Sequence, residues 1–139
     1  MRKLALIIAL TLGGCEHSHL AGNEALLDKQ FKLPFDSTFV LEQTGLEISF
    51  IRVNEDSRCP ADMECDWQYG QVVVLLDLDE GDNGGRLVLG TPNYSNKFSS
   101  SANLLGHRIS LLGIEPPPAN FGDKIPEEDF IALMWVIKE

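Results

Sequence analysis

The sequence predicts an all-β domain: an antiparallel β-sandwich of immunoglobulin-like connectivity, with a small closed barrel as the alternative. Three observations carry this. About six or seven short segments, either alternating in polarity or rich in β-branched residues, are separated by Gly, Pro, Asn and Asp clusters. No stretch reads securely as an α-helix, and no internal repeat is visible. The chain has 139 residues, 44% of them hydrophobic, which suits one domain with its own core. That apolar content sets it apart from disordered chains. The formal net charge of −10 sets it apart from nucleic-acid binders, whose phosphate affinity needs clustered Lys and Arg.

Taken in order, the first residues are an address. Arg2 and Lys3 precede Leu4–Leu12, a nine-residue run that is apolar but for Thr11. As a helix it would span about 14 Å, against a hydrocarbon core of about 30 Å. A charged start, a short apolar run and small residues at its end describe a secretory signal over residues 1–14. The alternative is a buried N-terminal helix.

Leu12-Gly13-Gly14-Cys15 resembles the lipobox of bacterial lipoproteins. The resemblance implies a diacylglycerol thioether on Cys15, cleavage before it and acylation of the new amino terminus. Two or more acyl chains give stable anchoring, so the membrane is the first expected partner. Glu16 in place of Asp points to the outer membrane facing the periplasm if the host is Gram-negative. Cleavage removes Arg2 and Lys3 and no acid, moving the net charge from −10 to −12.

Residues 15–29 read as a polar tether reaching about 50 Å when extended. The alternative is that Asn23 caps a short helix through Asp28. His17 and His19 sit on this segment and could capture copper or zinc, the basis of a metal-handling alternative. Two histidines on a flexible segment are more often merely polar.

The domain is expected from Gln30 to Glu139. Phe39–Leu41 begins the strands. Leu46, Ile48 and Phe50 alternate with Glu47 and Ser49, then the parity switches at Ile51 and Val53, which predicts a bulge. Val72–Leu76 (VVVLL) reads as a central strand covered on both faces. Glu80–Gly85 is turn chemistry, in which Asn83-Gly84 tolerate positive φ, and Leu87–Leu89 returns. Thr91–Asn103 is expected as a long polar loop. Arg108–Ile114 is a strand with a second parity switch between Leu111 and Leu112, stopped by Pro116–Pro118. Pro126–Asp129 resembles a helix start. Phe130–Ile137 (FIALMWVI) is nevertheless apolar on every face, which fits an interior strand better than a helix in a domain this small.

Three cysteines are an awkward number for an exported chain. With Cys15 lipidated, Cys59 and Cys65 remain as a pair, and an oxidising compartment favours their disulfide. Closing so short a loop contributes roughly 2–2.5 kcal/mol by chain entropy. Asp56-Ser57-Arg58-Cys59-Pro60, followed by Cys65-Asp66-Trp67, resembles a group of small exported bacterial proteins sharing Asp-Ser-Arg-Cys-Pro and Cys-x-Trp. The resemblance implies a β-rich domain and an envelope address, and no activity. In that pattern a Gly stands two residues after the Trp. Here Gln68 and Tyr69 come before Gly70.

Around this loop Asp56, Arg58, Asp66, Trp67 and Tyr69 form a candidate binding surface for an envelope protein partner, since aromatic and Arg side chains are frequent hot spots. The alternative is structural: Arg58 pairs with Asp56 or Asp66, and Trp67 packs over the sulfurs. Metal binding by the cysteines with Asp62, Glu64 and Asp66 lacks a second Cys pair or a nearby His. Asp77, Asp79, Glu80 and Asp82 miss the calcium-loop spacing, because Gly81 stands where a ligand belongs. Asn93-Tyr94-Ser95 fits a glycosylation sequon. No nucleophile, phosphate-loop or zinc-protease motif is present. A small hydrolase would have to use His107, perforce with Ser99, Ser100 or Ser101. The reading is therefore a non-enzymatic, lipid-anchored binding or envelope-maintenance module with no cofactor.

Overall fold

The computed structural model describes residues 24–65, 70–92 and 97–139. The signal 1–14, Cys15, His17, His19, Asn23, Asp66, Trp67, Tyr69 and the Asn93-Tyr94-Ser95 sequon lie outside the described residues. The described residues form nine strands: β1 (Glu24–Ala25), β2 (Gln30–Pro34), β3 (Thr38–Leu41), β4 (Leu46–Asp56), β5 (Val72–Glu80), β6 (Asn83–Gly90), β7 (Ser101–Leu104), β8 (His107–Glu115) and β9 (Ile131–Lys138).

They form two packed sheets, ordered β1-β3-β4-β5-β6 and β2-β9-β8-β7. Pairing is antiparallel except between β1 and β3. The sandwich expected from the sequence is formed, and the sheets do not close into a barrel. Its connectivity differs from the immunoglobulin arrangement. β3 to β6 follow one another across one sheet and β7 to β9 across the other, where immunoglobulin strands cross between sheets in Greek keys.

The alternating positions build the core. Leu46, Ile48 and Phe50 of β4, Leu76 and Leu78 of β5, Ile109 and Leu111 of β8, and Met134 of β9 are fully buried between the sheets. Phe35 meets Phe50 edge-on, with ring centroids 5.5 Å apart. Both expected bulges occur, as register shifts between Phe50 and Arg52 and between Leu111 and Gly113. A second shift in β4, between Val53 and Glu55, has no parity signal in the sequence. β9 lies between β2 and β8, so the apolar run expected at Phe130–Ile137 is an interior strand that begins one residue later, at Ile131, and the helix-like start at Pro126 amounts to one 3₁₀ turn, Glu127–Asp129.

The β5–β6 turn lies within Glu80–Gly85, as expected, and its central residues are Gly81-Asp82. Gly81 adopts φ +60° and Glu80 pairs with Asn83, the two-residue hairpin with Gly at its first central position. Ser101–Leu104 is a strand and not loop. It is fixed by a hairpin through Leu105 and Gly106, both at positive φ (51° and 70°), the backbone of a type I′ turn. Packing also begins before Gln30. Ala25 is buried, and the Asp28 amide donates to the Val136 carbonyl while its carboxylate accepts from Trp135 Nε1 at 3.2 Å. Residues 24–28 therefore join the sandwich without a helix.

Glu24 hydrogen-bonds Glu42, and that bond, some desolvation and the repulsion between the two carboxyl groups raise the Glu24 pKa. A raised native pKa means that the folded state holds the proton more tightly, so this contribution is largest in acid and is lost as pH rises from the ordinary glutamate range through the raised value. Glu24→Gln is expected to flatten the dependence of Tm on pH just above the ordinary glutamate range relative to wild type. Superimposable pH profiles of thermal unfolding would contradict this.

Candidate functional site

At one end of the sandwich β4 runs into the cysteine loop, and β8 runs into the proline break. A single side chain fastens the two. Arg58 Nε and Nη2 donate to the two carboxylate oxygens of Asp56 at 2.9 and 2.8 Å. Its Nη1 donates to the Ile114 carbonyl and Nη2 to the Pro116 carbonyl, each at 2.9 Å. Four of the five guanidinium N–H donors are thus used inside the protein, and the side chain is 16% exposed. Bidentate pairing in a partly desolvated place is the strong form of this interaction. The Glu115–Pro116 bond is cis.

The Cys59–Cys65 disulfide closes the adjacent loop. The Ala61 amide donates to the Pro118 carbonyl at 3.0 Å, and the Phe121 amide donates to Asp62 Oδ1 at 3.0 Å. Behind the loop, the Ser57 amide and hydroxyl both donate to the Gln71 carbonyl, and the Gln71 amide donates to Ser57 Oγ. Gly70 packs here so closely that a Cβ would overlap the Ser57 carbonyl. Buried Gln71 extends the network, its Nε2 donating to the carbonyls of Thr91 and Phe98.

These ties hold open a groove of about 980 Å³, a size that suits a small ligand or a short peptide. Phe130, Val53 and Ile125 give it apolar lining, Glu55, Asp56, Arg58 and Pro60 line it from β4 and the cysteine loop, and Asn120, Phe121, Lys124 and Glu127 line it from the connection before β9. Phe121 is 68% exposed. Of the surface expected from the sequence, Asp56 and Arg58 line this groove, though Arg58 is engaged by Asp56 and two carbonyls. Asp66, Trp67 and Tyr69 fall outside the described residues. The lining from residues 118–127 was not singled out by the sequence reading. Its signal is an aromatic residue among Pro, Asn and Gly in a long connection, where binding residues concentrate.

His107 lies at the other end of β8. Its side chain is 3% exposed, Nδ1 is 2.7 Å from the Leu105 carbonyl and 3.7 Å from Glu80 Oε2, and Nε2 carries no hydrogen bond. Ser99 donates to the Ser101 carbonyl, and Ser101 bonds Ser110, so neither is bonded to the imidazole. Asp77 pairs with Arg86 at 2.8 Å. Among the described residues no group of His, Cys, Asp and Glu is arranged to hold a metal ion. Comparison with protein-family models, with curated proteins and with solved structures finds no match to this chain.

Proposed function

We propose that this protein is a lipid-anchored bacterial envelope protein that carries out no catalysis and holds a partner in the groove beside its disulfide loop. The observation that carries the binding role is the groove itself. Its walls come from segments distant in sequence, and Arg58 and the Cys59–Cys65 bond fix them in place. A fixed concave surface loses little conformational freedom on docking, and an exposed aromatic at its rim offers contact area. The envelope address rests on the charged start, the apolar run and Leu12-Gly13-Gly14-Cys15. A disulfide agrees with an oxidising compartment.

Two experiments test this reading. Cys15→Ser is expected to abolish palmitate labelling and leave the precursor uncleaved, and equal labelling of both proteins would refute the anchor. For the groove, a photo-crosslinking phenylalanine analogue is placed at Phe121 of the full-length protein in cells, and at Val88, an exposed residue of β6, as control. A discrete adduct from position 121 and none from position 88 is expected. No adduct, or the same adducts from both, would refute groove binding.

A further inference from the structure

We infer that the partner is an extended, basic polypeptide segment, which adds as a strand to the free edge of β4 between Ile51 and Asp56. The inference deepens the groove reading and rests on it. β4 pairs with β5 along nearly its whole length, but with β3 only from Leu46 to Ser49. Two further bonds, from the Asp36 amide to the Phe50 carbonyl and from the Phe50 amide to the Ser37 carbonyl, carry the contact one residue beyond. There the preceding chain departs to the other sheet, where the Phe35 amide donates to the Phe130 carbonyl. From Ile51 onward no strand among the described residues pairs with that side of β4. Six residues of open edge run for about 20 Å, and four of them, Val53 to Asp56, line the groove.

An open edge is a template for another chain, and strand addition is a recurrent way of binding extended peptides. One donor on this edge is already occupied in a telling way. The Val53 amide donates to Glu127 Oε1 at 3.1 Å, so a side-chain carboxylate stands where the carbonyl of a neighbouring strand would stand. An arriving strand can take over that donor and release Glu127 to a cationic side chain.

Charge selects the sign of the segment. Arg58 neutralises Asp56, and Lys97 pairs with Glu55 at 3.4 Å, which leaves Asp123 and Glu127 against Lys124 in the groove, in a chain of net charge −10. Phe121 and Ile125 add apolar lining from the connection before β9.

The test titrates isotope-labelled, full-length protein in mild detergent with three peptides. One alternates Lys and Val, one alternates Glu and Val, and the third repeats the Lys-Val sequence with alternate amides N-methylated. The Lys-Val peptide is expected to shift and protect the amides of Val53 to Asp56, and to bind about ten-fold more tightly than either control, the weight of one or two net hydrogen bonds. Phe121→Ala should weaken it several-fold. Equal binding by the N-methylated peptide would overturn strand addition, and equal binding by the Glu-Val peptide would overturn the charge assignment. Protection of these amides by raising the protein concentration alone would give the edge to a second copy of this chain, overturning the proposal. If no peptide perturbs Val53 while the Phe121 adduct forms in cells, strand addition falls and groove binding stands. If both fail, both fall.

Discussion

Replacing Arg58 with alanine is expected to destabilise the domain by about 3 kcal/mol, because hydrogen bonds to charged groups are worth roughly 1.5–3 kcal/mol each and breaking a buried pair strands its partner. The figure is held near the lower end of the roughly 3–5 kcal/mol typical of breaking a buried pair because the Arg58 and Asp56 side chains are 16% and 21% exposed. The loss has two parts. Asp56 is left without its bidentate partner, and the carbonyls of Ile114 and Pro116 lose their donor. For a domain of this size the fall in Tm should be on the order of 10 °C or more. Arg58→Lys should recover little of it, since an ammonium cannot reproduce a planar fork aimed at a carboxylate and two carbonyls. Thermal and urea unfolding measure both variants. A loss below about 0.5 kcal/mol for Arg58→Ala, the range of ordinary surface substitutions, would mean that the clamp is not structural.

The second large effect is expected at Gly70. An added methyl would overlap the carbonyl of Ser57 and approach Arg58 Cα. Both obstacles are backbone, so no side chain can swing aside, and either the Ser57–Gln71 hydrogen bonds or the start of β5 must move. Gly70→Ala should cost about 3 kcal/mol, at the upper end for forced overpacking, and should speed hydrogen exchange at the Ser57 amide. Wild-type stability together with wild-type exchange would show that the close approach is not needed. A Gly in place of the second residue after Trp67 is what the resembling sequences lead one to expect. In this chain Gly70 meets the close approach despite the two intervening residues, Gln68 and Tyr69.

Strands whose environment is set by their own residues were legible in the sequence. The alternation of β4 and the unbroken apolar runs of β5 and β9 each report a local burial pattern, and the parity switches at Ile51 and after Leu111 report bulges. What depended on distant partners was not legible. The sheet that each strand joins is set by packing between sheets, so the immunoglobulin-like order could not be told from two meanders. β7 is a polar edge strand, Ser101–Leu104, whose existence depends on the Leu105-Gly106 turn and on pairing with β8. The turn between β5 and β6 was legible as Glu80–Gly85 from its composition, while its central pair, Gly81-Asp82, is set by the cross-strand register.

The candidate site was half legible. The cysteine pair and the Asp56–Arg58 pairing follow from neighbouring residues and from the cysteine count. The lining from residues 118–127 does not. It comes within reach because Arg58 bonds carbonyls 56 and 58 residues away, a contact with no local signature. The same holds for the open edge of β4, which exists because β3 is short.

The most direct test of the groove as the working surface is hydrogen exchange, followed by mass spectrometry, on the full-length protein in detergent before and after mixing with detergent-solubilised envelope. The expected result is new protection confined to residues 53–58 and 118–127. No change there, or protection along residues 131–137 of β9 instead, would contradict it.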